Sequence, residues 1–407
     1  MTPPPPTPTP TGRWRDVVRA TGLLTPDGTT RPTIFAEMSA LAASTGAINL
    51  GQGFPDVDGP AAVKRAAIEA IEAGHNQYPP GSGIAALRAA VAGHQRHHYG
   101  LELDPETEVL VTTGATEALA AAVLALAGPG DEVLTLEPFY DSYAAVIALA
   151  GATHTTAPLT RGADGFRLDA AALRAAFSDR TRIVLLNSPH NPTGAVLTRT
   201  ELDLVAQLAT RHDAIVLTDE VYEHLVYDDA THVPFATLPG MASRTLTVSS
   251  AGKTFSFTGW KIGWVTGPAA LVEAVCAVKQ FLTYVSGAPF QPAIAAALTD
   301  DDVAVWVRKL ATSLAARRDL LCTGLERAGF AVVRPQGTYF VVADGAPLGF
   351  DDGAELCRKL PELAGVVGVP VSAFTRAGSV ADDALRSAVR FTFVKRESVL
   401  REAVDRL

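Results

Sequence analysis

Short runs of aliphatic and β-branched residues alternate with longer stretches of helical periodicity along most of the chain. Val109-Leu110-Val111-Thr112 is such a run; Gly114 breaks it, and Ala115 to Ala127 then reads as a helix. Glu132 to Leu136 is another, ended by Glu137-Pro138. Arg182 to Leu186 and Ala214 to Thr218 are largely apolar, as expected of strands buried on both faces, and Thr245 to Ser249 is a further strand. Upstream, Arg31 to Thr45 predicts a short helix leading into Ile48-Asn49-Leu50 and a turn-rich stretch from Gly51 to Asp56. Strands separated by helices predict an α/β fold with a mostly parallel sheet covered by helices. After about Gln291 the alternation weakens. A long helix through Trp306 to Ala328 is followed by short strands at Thr338–Val342 and Ala388–Phe393, which predicts a smaller α+β domain. The expected organisation is a disordered Pro/Thr-rich tail and N-terminal arm over 1–30, a segment joining the small domain over 31–58, a large domain over 59–295 and a small C-terminal domain over 296–407.

Composition narrows the function classes. With 407 residues, 48% apolar and 19% charged, the chain has ample core material. A formal net charge of -9, with acids and bases interspersed, lacks the basic footprint of a nucleic-acid binder, and no polybasic run suggests a membrane surface. Cys276, Cys322 and Cys357 form neither metal-type spacing nor a disulfide framework. The N-terminal MTPPPPTPTPTGRW has no apolar signal region, and the longest apolar run, Ala118 to Ala127, is too short to span a bilayer. The expectation is a cytoplasmic protein without nucleic-acid or membrane partners.

The polar residues at the apparent strand ends carry the chemistry. In open α/β sheets, ligands sit at the carboxyl ends of the strands. The segment from Ser249 to Lys261 places Lys253 after small residues, where an amine can be held partly desolvated and can condense with a carbonyl. Ser250 and Lys261 flank it and suit a phosphate. A reactive amine beside a phosphate site suggests covalently held pyridoxal phosphate. That cofactor needs a carboxylate at its ring nitrogen, for which Asp219 is the candidate. Asn191 and Tyr222 suit its ring hydroxyl, and Tyr140 can stack on its ring. Gly114-Ala115-Thr116 opens a helix whose N-terminus suits the phosphate. Taken singly, Asp219 reads as a helix cap, Asn191-Pro192 as a turn and Tyr222 as packing; the weight lies in their joint occurrence. His94, His97 and His98 have helical spacing, but a solvated helix face is the expectation there and no metal site. His190 is expected to shape its loop.

These stretches resemble a known family. LGQGFPD at Leu50, NQYPPGSG at Asn76, VTTGATEAL at Val111, EPFYDSY at Glu137, NSPHNPTG at Asn187, TDEVYEHL at Thr218, SSAGKTFSFTGWKIGW at Ser249, GTYF at Gly337 and VRFTFVK at Val389 are similar, in this order, to the fold-type-I pyridoxal-phosphate aminotransferases of classes I and II. The resemblance spans about residues 31 to 407. It implies that Lys253 binds the cofactor and shuttles the proton, that Asp219 pairs with the ring nitrogen, and that Asn191 and Tyr222 contact the ring oxygen. It further implies that Gly114, Ala115, Thr116, Ser250 and Lys261 hold the phosphate, that Tyr140 stacks on the ring, and that Arg390, helped by the Gly53 backbone and Asn191, takes the substrate α-carboxylate. Tyr78 would complete the neighbouring subunit's site, which implies a homodimer. The substrates would be an amino acid and a 2-oxo acid, exchanged in two half-reactions. TIFAEMSALAASTGAINLGQGFPD, GHNQYPPGSG and DEVYEHLVYDDATH resemble the branch containing N-succinyldiaminopimelate, kynurenine, glutamine and methionine aminotransferases. For a succinylated substrate, Arg31 and Arg376 are the extra cations to consider, with a surface role the plainer expectation. A carbon–sulfur β-lyase on the same scaffold is the alternative that the cofactor residues leave open.

Overall fold

The computed structural model describes residues 10–162 and 165–407. In chain order the strands are β1 (Ile48–Asn49), β2 (Val109–Thr113), β3 (Glu132–Glu137), β4 (Thr153–Gly162), β5 (Gly165–Leu168), β6 (Thr181–Asn187), β7 (Ile215–Asp219), β8 (Thr245–Ser250), β9 (Ile262–Thr266), β10 (Ala331–Val333), β11 (Phe340–Asp344), β12 (Val366–Val367), β13 (Val369–Pro370) and β14 (Ala388–Thr392). The large sheet has the order β2-β9-β8-β7-β6-β3-β4-β5. Pairs β8–β7, β7–β6, β6–β3 and β3–β4 are parallel. Strand β9 is antiparallel to both β2 and β8, so β2 runs with β8 and the other parallel strands. The ends of β2, β6, β7 and β8 therefore share one edge, as the fold class predicts.

Helices cover both faces of this sheet. Gly114–Leu126, Ser142–Ala150 and Ala269–Lys279 bury Leu119, Val123, Ile147 and Val275 against Val133, Leu185, Leu217 and Val248 on one face. Ala170–Ala176 and Arg199–Arg211 bury Leu173, Leu202 and Val205 with Leu134, Val184 and Val216 on the other. The second sheet has the order β10-β11-β14-β13. It packs with helices Asp301–Arg327, Gly353–Ala364 and Glu397–Arg406 around Leu314, Leu321, Leu356, Phe391 and Leu400. The N-terminal segment is woven into this part. Strand β1 pairs in parallel with β12, and Leu50, fully buried, accepts a hydrogen bond from the Thr392 N–H (2.7 Å). This lacing holds Gly51 to Gly53 over the edge of the large sheet.

Several elements differ from the sequence expectation for local reasons. The helix expected from Arg31 begins at Ile34, because Thr33 caps it by accepting from the Ala36 N–H (3.2 Å). The strand expected from Thr338 begins at Phe340, because Thr338 has φ of 65° and cannot join a ladder. The proline–threonine run expected as a disordered tail lies, over residues 1–9, outside the described residues. The arm beyond it carries a helix, Trp14–Ala20, that packs on Ser142–Ala150. The three histidines of Ala85–Tyr99 do not share a solvated face: His97 and His98 are exposed, but His94 is buried at 7%. It is turned toward His224, and burial pushes both His94 and His98 down to about 4. Cys322 and Cys357 are buried and Cys276 partly so, all as free thiols. Among the described residues, no helix is long and apolar enough to cross a membrane.

Candidate active site

A cavity of about 370 Å³ opens where the shared strand edge meets the second sheet. The residues singled out from sequence line it together: Gly53, Gly114, Ala115, Thr116, Tyr140, Asn191, Asp219, Tyr222, Ser250, Lys253, Lys261 and Arg390. Tyr78 does not; it is 82% exposed and lies edge-on to Tyr284 (5.6 Å).

Asp219 ends β7 and is 5% exposed. One oxygen accepts from the Tyr143 hydroxyl (2.7 Å), and the other receives a long contact from the Val221 N–H (3.4 Å). Burial raises its carboxyl to about 6, against the pull of the Tyr143 hydrogen bond and Lys253. The neighbouring strand end fixes the backbone here. Asn187 donates from Nδ2 to the Asp219 carbonyl (2.8 Å) and accepts from the Asn191 N–H (2.7 Å). His190 is enclosed in the same loop, where its Nδ1 pairs with the Thr193 hydroxyl (2.8 Å) and burial pushes its pKa down to about 3.

Lys253 sits on the short helix Ala251–Thr254 directly after β8. Its Nζ donates to the Tyr339 hydroxyl (2.8 Å), which donates to the Gly53 carbonyl (2.7 Å). The Tyr222 ring lies edge-on to Tyr339 (5.3 Å), and Lys253 Nζ is 5.6 Å from the Tyr222 centroid. Burial first, then Tyr339 and Asp219, push the Tyr222 hydroxyl well above the ordinary phenol range. Tyr140 leans edge-on against Tyr143 (5.6 Å), and burial, with Asp141 adding to it, raises its hydroxyl to about 12.

The corner made by Gly114 and Lys261 depends on absent side chains. Gly114, at the start of its helix, has φ of +71°, and a Cβ there would meet Lys261 Cε at 3.3 Å. Beneath it, Gly263 pairs with both Thr112 and Ser250 across β9. A Cβ on Gly263 would lie 2.6 Å from the Gly114 carbonyl carbon. The helix can therefore seat its first turn on the strand, where Gly114, Ala115 and Thr116 line the cavity and the first N–H groups lack intrahelical acceptors. Lys261, with φ of 54°, and Ser250 border the same corner.

Arg390, on β14, is 3% exposed. It donates from Nη1 to Asn191 Oδ1 (3.0 Å) and from Nη2 to the Gly51 carbonyl (2.9 Å), while its buried Nε has no partner among the described residues. The guanidinium lies between the rings of Phe340 (4.0 Å) and Phe374 (4.6 Å). Burial lowers its pKa to about 10, so it stays charged at neutral pH. Gly53 makes this close packing feasible, since a Cβ there would fall 2.4 Å from the Phe340 ring.

Sequence reading gave no role to Tyr143, Tyr339, Phe340 or Phe374. Tyr143, Tyr339 and Phe340 stand inside motifs that were read, in EPFYDSY and GTYF, but only the fold shows what they touch. Arg31 and Arg376 are exposed and bond the carbonyls of Gly22 and His154. Neither lines the cavity. Among the described residues, its lysines and arginines are Lys253, Lys261 and Arg390.

Comparison with known proteins adds independent findings. Residues 45–407 match the family model for aminotransferase class I and II. The chain is 58% identical over 379 residues to a probable N-succinyldiaminopimelate aminotransferase, DapC, of Mycobacterium tuberculosis, covering 92% of this chain and 95% of that protein. It is 37% identical to a kynurenine–oxoglutarate transaminase of Dictyostelium discoideum, covering 92% and 93% of the two chains. The solved structure of N-succinyldiaminopimelate aminotransferase from Mycobacterium tuberculosis superposes with a TM-score of 0.90 at 55% identity, covering 98% of this chain and 99% of that one.

Proposed function

The chain belongs to the class I and II aminotransferases, and from that premise we propose that its cavity binds pyridoxal 5′-phosphate and moves an amino group from an amino acid to a 2-oxo acid. The observation that carries this is the enclosure of Asp219, Lys253 and Arg390 in one cavity with a glycine-opened helix N-terminus at its end.

The residues present fit that cofactor. Among the described residues, the buried Asp219 carboxylate is hydrogen-bonded only by a hydroxyl and one long amide contact; a protonated ring nitrogen would supply the charge that keeps it ionised. The first turn of helix Gly114–Leu126, with Ser250 and Lys261, suits a phosphate dianion. Bound there, the cofactor supplies an aldehyde for the amino group and a ring that takes up carbanion charge. Lys253, whose Nζ now rests on the Tyr339 hydroxyl, would hold the cofactor through its amine and would serve as the base that carries the substrate Cα proton. Tyr222 and Asn191, in the cavity wall, would donate to the ring oxygen, and Tyr140 would cover a ring face. Arg390 would take the α-carboxylate with guanidinium N–H groups left over from its bonds to Asn191 and the Gly51 carbonyl, which fix its orientation.

For the substrate, the likeness to DapC supports N-succinyldiaminopimelate, and the more distant likeness to kynurenine transaminases supports the alternative. We also read the chain as a homodimer. Tyr78, Phe281, Leu282 and Tyr284 form an exposed apolar group. The same loop reaches Thr113, whose hydroxyl meets those of Thr283 (3.1 Å) and Ser286 (2.9 Å). The exposed Tyr78 ring, edge-on to Tyr284, supports the reading that it serves the site of a second copy.

Lys253→Ala tests the reading. The variant is expected to bind the cofactor without a borohydride-trappable adduct and to lose about 10²–10⁴-fold or more in transamination, the scale of a positioned proton carrier. Full turnover in that variant, or wild-type protein that forms no adduct at position 253, sinks it. A donor screen with several 2-oxo acids, including succinylated diaminopimelate and kynurenine, separates the two substrate readings.

A further inference from the structure

We propose that His94, His98 and His224 form a binding site for a borderline divalent transition cation such as Zn²⁺, Ni²⁺ or Co²⁺, separate from the substrate cavity. His94 and His98 stand at i and i+4 on helix Ala85–Tyr99, so both imidazoles rise from one face. His224 comes from the turn that follows β7. The ring nitrogens that these three offer all lie within 4.8 Å of one another. His94 Nε2 and His224 Nε2 are 2.8 Å apart. Zinc–nitrogen bonds of about 2.0–2.1 Å in a tetrahedron require nitrogens roughly 3.3 Å apart, which falls between those two values. Once the His94–His224 hydrogen bond opens and its proton moves to the other ring nitrogen or to solvent, modest changes of spacing let three imidazole nitrogens meet one ion.

The surroundings suit a cation that keeps an open position. A second cavity of about 420 Å³ opens at the three rings, with Thr254, Phe255 and Val307 in its wall. The buried Glu223 carboxylate, next in sequence to His224, gives its oxygens to the hydroxyls of Tyr99 (2.7 Å) and Ser249 (2.6 Å). It supplies negative charge without being free to ligate. Arg308 and His97 line the same cavity; Arg308 opposes a cation, and His97 stands outside the triad. Imidazole donors with an open position favour Zn²⁺, Ni²⁺ or Co²⁺ over Mg²⁺ or Ca²⁺, which prefer oxygen. A bound ion ties helix Ala85–Tyr99 to the turn after Asp219, and Thr254 in the cavity wall follows Lys253 directly. Binding to the folded chain alone must raise its stability.

Tag-free holoenzyme titrated with ZnCl₂, and with CoCl₂ followed by visible absorption, tests this. The expected result is one cation per chain, cobalt bands of low coordination number and a higher melting temperature. The exposed ring of His98 can be removed without disturbing the core. His98→Ala is expected to weaken binding by at least about 10–100-fold, the scale already set by losing an outer-shell partner, and to abolish the melting shift. His97→Ala is expected to change neither, and His224→Ala to repeat the His98→Ala result. No binding by the wild type, equal affinity in His98→Ala, or an equal loss in His97→Ala overturns the proposal and leaves a hydrogen-bonded imidazole pair. Cation binding is read without turnover, so failure here is distinct from failure of the aminotransferase reading.

Discussion

Asp219 shows what enclosure does to a single residue. Its folded-state carboxyl is raised from 3.8 to about 6, chiefly by burial. The folded chain then holds a proton more tightly than the unfolded chain, so the residue removes stability as pH rises from 3.8 through about 6. Cofactor-free Asp219→Asn escapes this cost. Its melting temperature relative to wild type should therefore rise between about pH 4 and about pH 7 and level off above. A constant difference across that range would contradict the assignment of the shift to Asp219. The same variant should lose about 10²–10³-fold in kcat, the scale of removing one preorganised electrostatic partner. The type of residue at position 219 could be read from the chain order. Its proton affinity could not, because that depends on Tyr143 and on the shell around both.

Among the elements, β9 decides the most. The connection 251–261 that carries Lys253 is too short for a parallel crossover with its own helix. The chain turns back, and β9 runs antiparallel between β2 and β8. That insertion brings Gly263 against the backbone of Gly114 and Ala115. Gly263→Ala should cost about 1–3 kcal/mol, the range for overfilling a packed site, measured from denaturant midpoints of the cofactor-free protein. It should also weaken phosphate-dependent cofactor binding, because the helix start must lift. An unchanged midpoint would mean that the contact relaxes freely. The strands at Val109, Arg182, Ala214 and Thr245 were legible as apolar runs. Strand β9 carries Ile262, Trp264 and Val265 around Gly263, and only the fold shows that it pairs antiparallel with a neighbour on each side.

At the scale of the whole molecule, the exposed Tyr78 raises the question of a second copy. In a monomer, Tyr78→Ala changes a surface residue and should leave cofactor affinity alone. In the proposed homodimer it should weaken cofactor binding roughly tenfold, as expected for losing a hydrogen bond to a charged group, while sedimentation still shows two chains. The proposed histidine site belongs to this scale too, because it joins a helix to a turn distant in sequence. His94 and His98 were visible as a spacing, but nothing in that spacing points to His224.

The amino-acid order by itself determined the alternation of strands and helices, and hence the mostly parallel covered sheet, because burial on two faces writes continuous apolar runs and amphipathic helices write their own period. It also determined which residue types stand at the strand ends, since loops there are held by short local rules. Tertiary structure alone decided the distances and the company each group keeps. It set the Lys253–Tyr339–Gly53 hydrogen-bond chain, the aromatic clamp on Arg390, the raised carboxyl of Asp219 and the burial of His94. These depend on contacts between segments far apart along the chain, and on the water those contacts exclude.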